Sequence, residues 1–365
     1  MKKTLLSALV AVLGFTTQAT AQTMLATLFH DNDIKTFYGA GALREAHAAA
    51  THGDVITLSS GTFTSTKITK AITLRGAGME YDSLTTTEPT IIEGTFEISI
   101  TAADSVLNGS TLTMEGIYSN YAITFGSVIN NPQFVKCKFW KLGDSSVSSS
   151  TAIGLRNASF INCIISGIVN IYSNGSATFV NSFVTNPSQL QNISGGTYTY
   201  EFQNCVIRTY PTEPNVNMDP DLYELKTSIF RNCIIYTNDG TTGTDYDYLD
   251  ASCQAYNCVG KVGNGSTNIF RNQQNTSNTQ VTSMSDIFKT WTGGSVVSFK
   301  TERLELTDEA KTKYLGTDGT EVGIYGGSLP FVSRPSNPQI TKLNVASKST
   351  ADGKLSVDIE VKAAE

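Results

Sequence analysis

The sequence predicts an all-β chain folded as a single-stranded right-handed parallel β-helix, a solenoid of about ten coils with an N-terminal capping α-helix and a C-terminal β-hairpin. Three observations point there. From residue 134 onward an F-x-N-C signature returns every 19 to 28 residues. The runs between signatures are short, β-branched and aromatic, and bounded by Gly, Asn and Ser, which is strand and turn chemistry. Only 16% of residues are charged, well below the ~25% of ordinary domains, as suits a β-rich surface with few helices.

Residues 1–21 read as an export leader: Lys2 and Lys3 precede an apolar run from Leu5 to Phe15, and Ala19-Thr20-Ala21 supplies a small-residue cleavage site. No later run approaches the ~20 apolar residues that a membrane span needs. The expectation is an exported bacterial protein, periplasmic, cell-surface or extracellular, of the Gram-negative type. The body is assigned to residues 22–331, and residues 332–365 to a linker and hairpin. A net charge of −6 excludes bulk attraction to nucleic acid or anionic membrane.

The repeat carries the geometry. Phe134-Val-Lys-Cys137, Phe160-Ile-Asn-Cys163, Phe179-Val-Asn-Ser182, Phe202-Gln-Asn-Cys205, Phe230-Arg-Asn-Cys233 and Ala255-Tyr-Asn-Cys258 place the Cys-equivalent positions 26, 19, 23, 28 and 25 residues apart. Variable coil length means insertions at the turns. Phe and Cys are three apart and would face opposite sides of one straight strand, whereas Cys and the following Phe139, Ile165, Val184, Ile207 or Ile235 share a side. A corner between Phe and Cys resolves the conflict. The corner falls on the Asn before Cys, at 162, 181, 204, 232 and 257, since Asn enters the left-handed region cheaply. Stacked amides there are expected to form a ladder.

Five of the six cysteines, at 137, 163, 205, 233 and 258, share one register, and Cys253 aligns with Ala158, Ala177 and Ser228. They read as buried small hydrophobes. Export permits disulfides, yet side chains stacked about 4.8 Å apart stand beyond the usual disulfide Cβ spacing. No C-x-x-C pair exists and the histidines are only His30, His47 and His52, which argues against zinc.

An open solenoid end must be covered. In Leu43-Arg-Glu-Ala-His-Ala-Ala-Ala50, the residues Leu43, Ala46 and Ala50 share one helical face, and the Gly53-Asp54 turn then leads into Val55-Ile-Thr-Leu58. At the far end, Leu355, Val357, Ile359 and Val361 alternate with polar residues after the Ala351-Asp-Gly353 turn, the pattern of a hairpin. Such a hairpin is marginal alone and should dock, cap the solenoid or pair with another chain.

These segments carry a resemblance. A cap helix followed by Gly53-Asp54-Val-Ile-Thr-Leu58, Gly61-Thr-Phe63 and Ile72-Thr-Leu-Arg-Gly-Ala-Gly78 resembles the opening of pectin-lyase-like right-handed β-helix proteins. Thr317-Asp-Gly-Thr-Glu-Val-Gly-Ile-Tyr-Gly-Gly327 is similar to the segment that closes the helix in many secreted bacterial members. The resemblance spans about residues 40 to 331. It implies a fold rather than an activity, for the superfamily holds lyases, hydrolases, esterases, epimerases, tailspikes and adhesins.

The catalytic signatures of that superfamily are missing. The polygalacturonase set of Asn-Thr-Asp, Asp-Asp and Gly-His-Gly does not occur, and the one His-Gly, His52-Gly53, falls in the cap. No pectin-esterase set assembles either. Lyases of this fold take a proton beside a uronate carboxylate with Arg or Lys while Ca²⁺ or another cation stabilises the enolate. Lys136, Lys138, Arg156, Arg208, Arg231 and Arg271 are the cations to consider, with Arg208 and Arg231 the catalytic candidates; each also reads as a solvated surface charge.

Two long insertions leave successive coils. One carries Tyr210, Asp219, Asp221 and Tyr223, the other Asp245, Tyr246, Asp247 and Tyr248. Tyr faces beside carboxylates suit a polysaccharide or cell-surface glycan, and spaced Asp oxygens would also suit Ca²⁺, although the spacing matches no defined calcium loop. Trp140 and Trp291 stand as single aromatics that packing would also explain. Three functions stay open: a noncatalytic glycan-binding or cell-surface module, a polysaccharide lyase acting on uronate polymers, and a structural or adhesive protein.

Overall fold

The structure is a computed structural model that describes residues 24–83, 86–101, 111–143, 154–167, 176–185, 199–209, 227–237, 249–261, 268–275, 277–291, 304–334, 339–345, 348–349 and 352–362. The expected leader lies outside them. The described chain is all-β, with long parallel sheets and the two α-helices Ala42–Ala49 and Asp308–Lys313.

From Val55 onward, the strands pass in turn to two eleven-stranded sheets, with Phe96–Ile98 as an extra strand of the second and Val128–Asn130 and Gly154–Arg156 paired as a separate two-stranded parallel sheet. The first sheet receives Val55–Leu58, Thr73–Arg75, Thr113–Glu115, Gln133–Val135, Ala158–Ile161, Ser176–Val180, Thr199–Gln203, Ile229–Arg231 and Gln254–Tyr256. The second receives the strand that follows each of these, from Gly61–Thr64 to Val259–Lys261, and then Thr279–Gln280. Neighbours in these runs are parallel, so each excursion lays one rung on the last. Such stacking of coils is the topology of a solenoid. Among the described residues, nine coils carry a strand in both sheets.

The register puts the repeat into columns. Phe134, Phe160, Phe179, Phe202 and Phe230 are fully buried, and their rings stack at centroid distances of 4.8, 4.8, 4.7 and 5.1 Å within 11° of parallel. Beside them run Cys137, Cys163, Ser182, Cys205, Cys233 and Cys258, all 0% exposed, the cysteines as free thiols. Each of the first four thiols donates to the carbonyl of a residue in the preceding coil, as Cys205 does to Phe179 at 3.2 Å. Burial pushes the Cys137 thiol up to about 12 and raises those of Cys163, Cys233 and Cys258, so these four stay protonated and inert.

The corner also holds. Asn162, Asn181, Asn204, Asn232 and Asn257 have φ between 47° and 56°, and each of the first four donates its backbone N–H to the coil below. In the earliest of these coils Lys136 takes the place with φ 51°. The expected amide ladder does not form along this column. One Asn–Asn contact, Asn232 to Asn204, stands at 3.5 Å, while Asn181, Asn232 and Asn257 bond the chain between residues 315 and 326.

That chain corrects the expected role of residues 317–327. Instead of closing the end, they run back along the corner column, from Asn257 past Asn232 to Asn181, and Arg334 reaches Asp82 at 3.4 Å. The glycines follow from the close approach: a Cβ on Gly316 would stand 2.7 Å from Asn232 Cγ, and one on Gly323, whose φ is +84°, 2.8 Å from Ile234. The interior is plugged instead by Ile269 and Phe270, which occupy the space beside Gly260.

At the other end the cap helix buries Ala42, Leu43 and Ala46, with Ala50 buried just past it. Before it lies an antiparallel hairpin, Leu25–His30 with Asp33–Tyr38, which the sequence did not announce and which extends the first sheet beyond Val55–Leu58. Gln339–Val345 and Val357–Lys362 form the expected C-terminal hairpin.

Candidate functional site: the open half of the second sheet

Outside the second sheet, two side-chain columns project away from the interior. The residue after each Cys or Ser gives Lys138, Ile164, Phe183, Val206, Ile234 and Val259; two places on stand Trp140, Ser166, Thr185, Arg208, Tyr236 and Lys261. The first column turns apolar at Ile164. From there residues 281–291 and 304–331 lie over it, and Ile164, Phe183, Val206, Ile234 and Val259 join Met284, Phe288, Val322, Ile324 and Phe331 in a second core. The aliphatic pair after each Cys therefore serves two cores, one residue inward and one outward.

This covering decides the fate of the catalytic candidates. Arg208 is 2% exposed, beside Tyr236 at 0% and Lys261 at 7%. Trp291 and Phe288 pack edge-on against Tyr236 at 5.2 and 5.8 Å. Arg231 lies on the other sheet, 3.6 Å from Glu201 and stacked 4.6 Å over the Tyr256 ring. The two arginines thus stand in different sheets, one buried and one half-exposed, and do not form one centre. The strands that lead into the two insertions are neighbours, Arg208 opposite Tyr236 and Thr209 opposite Thr237. Tyr210, Asp219, Asp221, Tyr223, Asp245, Tyr246, Asp247 and Tyr248 lie outside the described residues. Among the described residues no group of three His, Cys, Asp or Glu could hold a metal ion, and no helix is long and apolar enough to cross a membrane.

The uncovered half of the same face holds Trp140, which the sequence left between packing and a site. Trp140 is 55% exposed and Tyr121, on the adjacent strand, 46%. Their juxtaposition comes from a bulge: Phe139 pairs with Ser119 and Lys141 with Ala122, so Trp140 faces both Asn120 and Tyr121. Ser119 Oγ donates to the Tyr121 carbonyl at 3.1 Å and holds the bulge. Bulges re-aim side chains in this way. Two residues before Trp140, Lys138 Nζ lies 5.1 Å over the Tyr118 ring and 3.0 Å from Glu80 Oε1. Glu80 belongs to a turn pinned from both sides, by Met79 in the second core and by Asp82 to Arg334. Tyr81, between them, is 41% exposed.

The arrangement presents two aromatic faces, an ion pair and a flanking tyrosine on a rigid sheet. Aromatic faces accept the C–H faces of a sugar ring, and the charged pair offers directional donors and acceptors to its hydroxyls. The signal in the sequence was Trp140 at a position that stays outward in every other coil. No protein-family model, curated protein or solved structure matched the chain.

Proposed function

We propose that this is an exported, noncatalytic glycan-binding module on a right-handed parallel β-helix of the pectin-lyase-like kind, with Trp140 and Tyr121 as its sugar-stacking surface. The exposed aromatic pair at the bulge carries this reading. Large aromatics half in water, held on strands and flanked by hydrogen-bonding charges, mark a binding surface rather than packing. The handedness follows the rule for parallel crossover connections, and export follows the leader. A lyase needs its base and its carboxylate-neutralising cation at one sugar. Burial of Arg208 and the Glu201 and Tyr256 contacts of Arg231 speak against that use.

Calorimetric titration with a panel of acidic and neutral polysaccharides, run beside absorbance near the unsaturated-uronate band, tests the proposal. Binding without a new chromophore, lost in Trp140→Ala, is the expected outcome. A growing chromophore would make the protein a lyase, and absence of binding across the panel would leave a structural or adhesive role.

A further inference from the structure

We infer that the glycan of this surface is an uncharged polysaccharide lying along the solenoid axis, read about one sugar per coil. The inference rests on the glycan-binding reading above and narrows its substrate class.

Charge comes first. A polyuronate carries a carboxylate on every residue and requires a net positive track. Here two of the three cations are paired in place. Lys138 is held by Glu80 at 3.0 Å with both side chains less than a third exposed, and Lys67, nearer the cap, is held by Glu97 at 2.9 Å. Lys141 and Glu93, two strands apart, add one charge of each sign. These four charges, Lys138 and Lys141 with Glu80 and Glu93, sum to zero. An ion pair already satisfied still offers its remaining donors and lone pairs to hydroxyl groups, which is what a neutral sugar presents.

Direction comes from the register. Glu93, the Asn120–Tyr121 bulge, Trp140 and the exposed Ser166 occupy successive strands in one outward line. Coils repeat at about 4.8 Å, close to the length of one pyranose residue, so a chain along the axis meets each line position with one ring. Past Ser166 the line enters the covered half at Thr185, which is 7% exposed and donates to the Ser166 carbonyl at 2.6 Å. At this end the covered core bounds the site. Four positions, from Glu93 to Ser166, define its length.

Titration of the full chain with neutral gluco-, manno- and xylo-oligosaccharides and with oligogalacturonates, each of two to six units, separates the possibilities. The expected result is binding to one neutral series whose affinity climbs with length to about four units and then levels, as the line of four positions requires, with oligogalacturonates at least ten-fold weaker. Glu80→Gln, checked for unchanged melting, should free Lys138 and raise the ratio of oligogalacturonate to neutral-series affinity several-fold. Stronger binding of oligogalacturonates by the unmodified protein, or affinity that keeps climbing past four units, would overturn the inference while leaving glycan binding intact. Silence toward both series would remove the glycan-binding reading itself.

Discussion

Asn181 donates its side-chain amide to the Ile324 carbonyl at 2.8 Å, across 143 residues of chain, and to the Gly326 carbonyl at 2.7 Å. A corner residue chosen for its backbone conformation thus also clamps the segment that seals the second core. Asn181→Ala should remove the amide donor from the buried Gly326 carbonyl, while the Ile324 carbonyl keeps the Phe331 N–H, and cost about 1–3 kcal/mol. Gly326→Ala should cost more, because its Cβ would collide with the Glu321 carbonyl and meet Asn204 Nδ2 at 2.9 Å. Denaturant unfolding measures both, and binding of a hydrophobic dye would report the segment lifting from Val206 and Ile234.

Lys136 sits where later coils use Asn, at φ 51°, and is 9% exposed. Burial lowers its pKa while Glu115 works the other way. A non-Asn, non-Gly side chain in that region costs about 1–2 kcal/mol. Lys136→Asn should therefore raise stability by about 1 kcal/mol, seen as a higher melting temperature. An unchanged or lower value would mean that the ammonium has contacts worth keeping.

The fold was legible because its strongest constraints are local and repeated. Asn before Cys, and Phe three before Cys, reveal a corner and two columns without any knowledge of what lies far away in the chain. The second core was also written there, in Ile164-Ile165, Phe183-Val184, Val206-Ile207 and Ile234-Ile235. A lone inward residue would have sufficed for the interior; the doublets announce an outer cover. The register hid this, since nothing local ties Asn181 to Ile324. Lys2–Ala21 and the two Tyr-Asp insertions lie outside the described residues. Trp140 could not be told from a packing residue because its significance depends on where the cover stops.

His47 makes the cap sensitive to acid. It is 6% exposed, its Nε2 accepts the Thr69 N–H at 3.2 Å, and Lys70 donates to the His47 carbonyl at 2.6 Å. Burial, and then Lys70, hold its pKa down to about 4. The unfolded imidazole titrates near 6.5, so the unfolded chain takes up the proton first. The contribution of His47 is complete above about pH 6.5 and is lost as pH falls toward 4. After allowance for screening this amounts to about 2 kcal/mol. His30 has the opposite sign: Asp54 at 2.9 Å raises its pKa, so its contribution fades as pH rises. Melting temperature against pH should fall on the acid side, and His47→Gln, which keeps an acceptor without titrating, should flatten that limb. An equal slope in the variant would assign the acid sensitivity elsewhere.

Arg208 and Arg231 should behave differently from each other. Arg208 is 2% exposed beneath the second core, so Arg208→Ala should destabilise by about 1–3 kcal/mol through lost packing and lost polar partners. Arg231 is 39% exposed against Glu201, so Arg231→Ala should shift stability by less than about 1 kcal/mol. Paired unfolding curves decide this, and a larger loss for Arg231 would contradict the burial assigned to each.

The division of one sheet face into a sealed half and an open half is what gives Trp140 its role. Trp291→Phe leaves Trp140 as the single indole, and collisional quenching by acrylamide then reads that half alone. The account predicts strong quenching of the free protein and protection on adding a neutral oligosaccharide of four units. An indole shielded without ligand, or one equally quenched with and without it, would contradict the account.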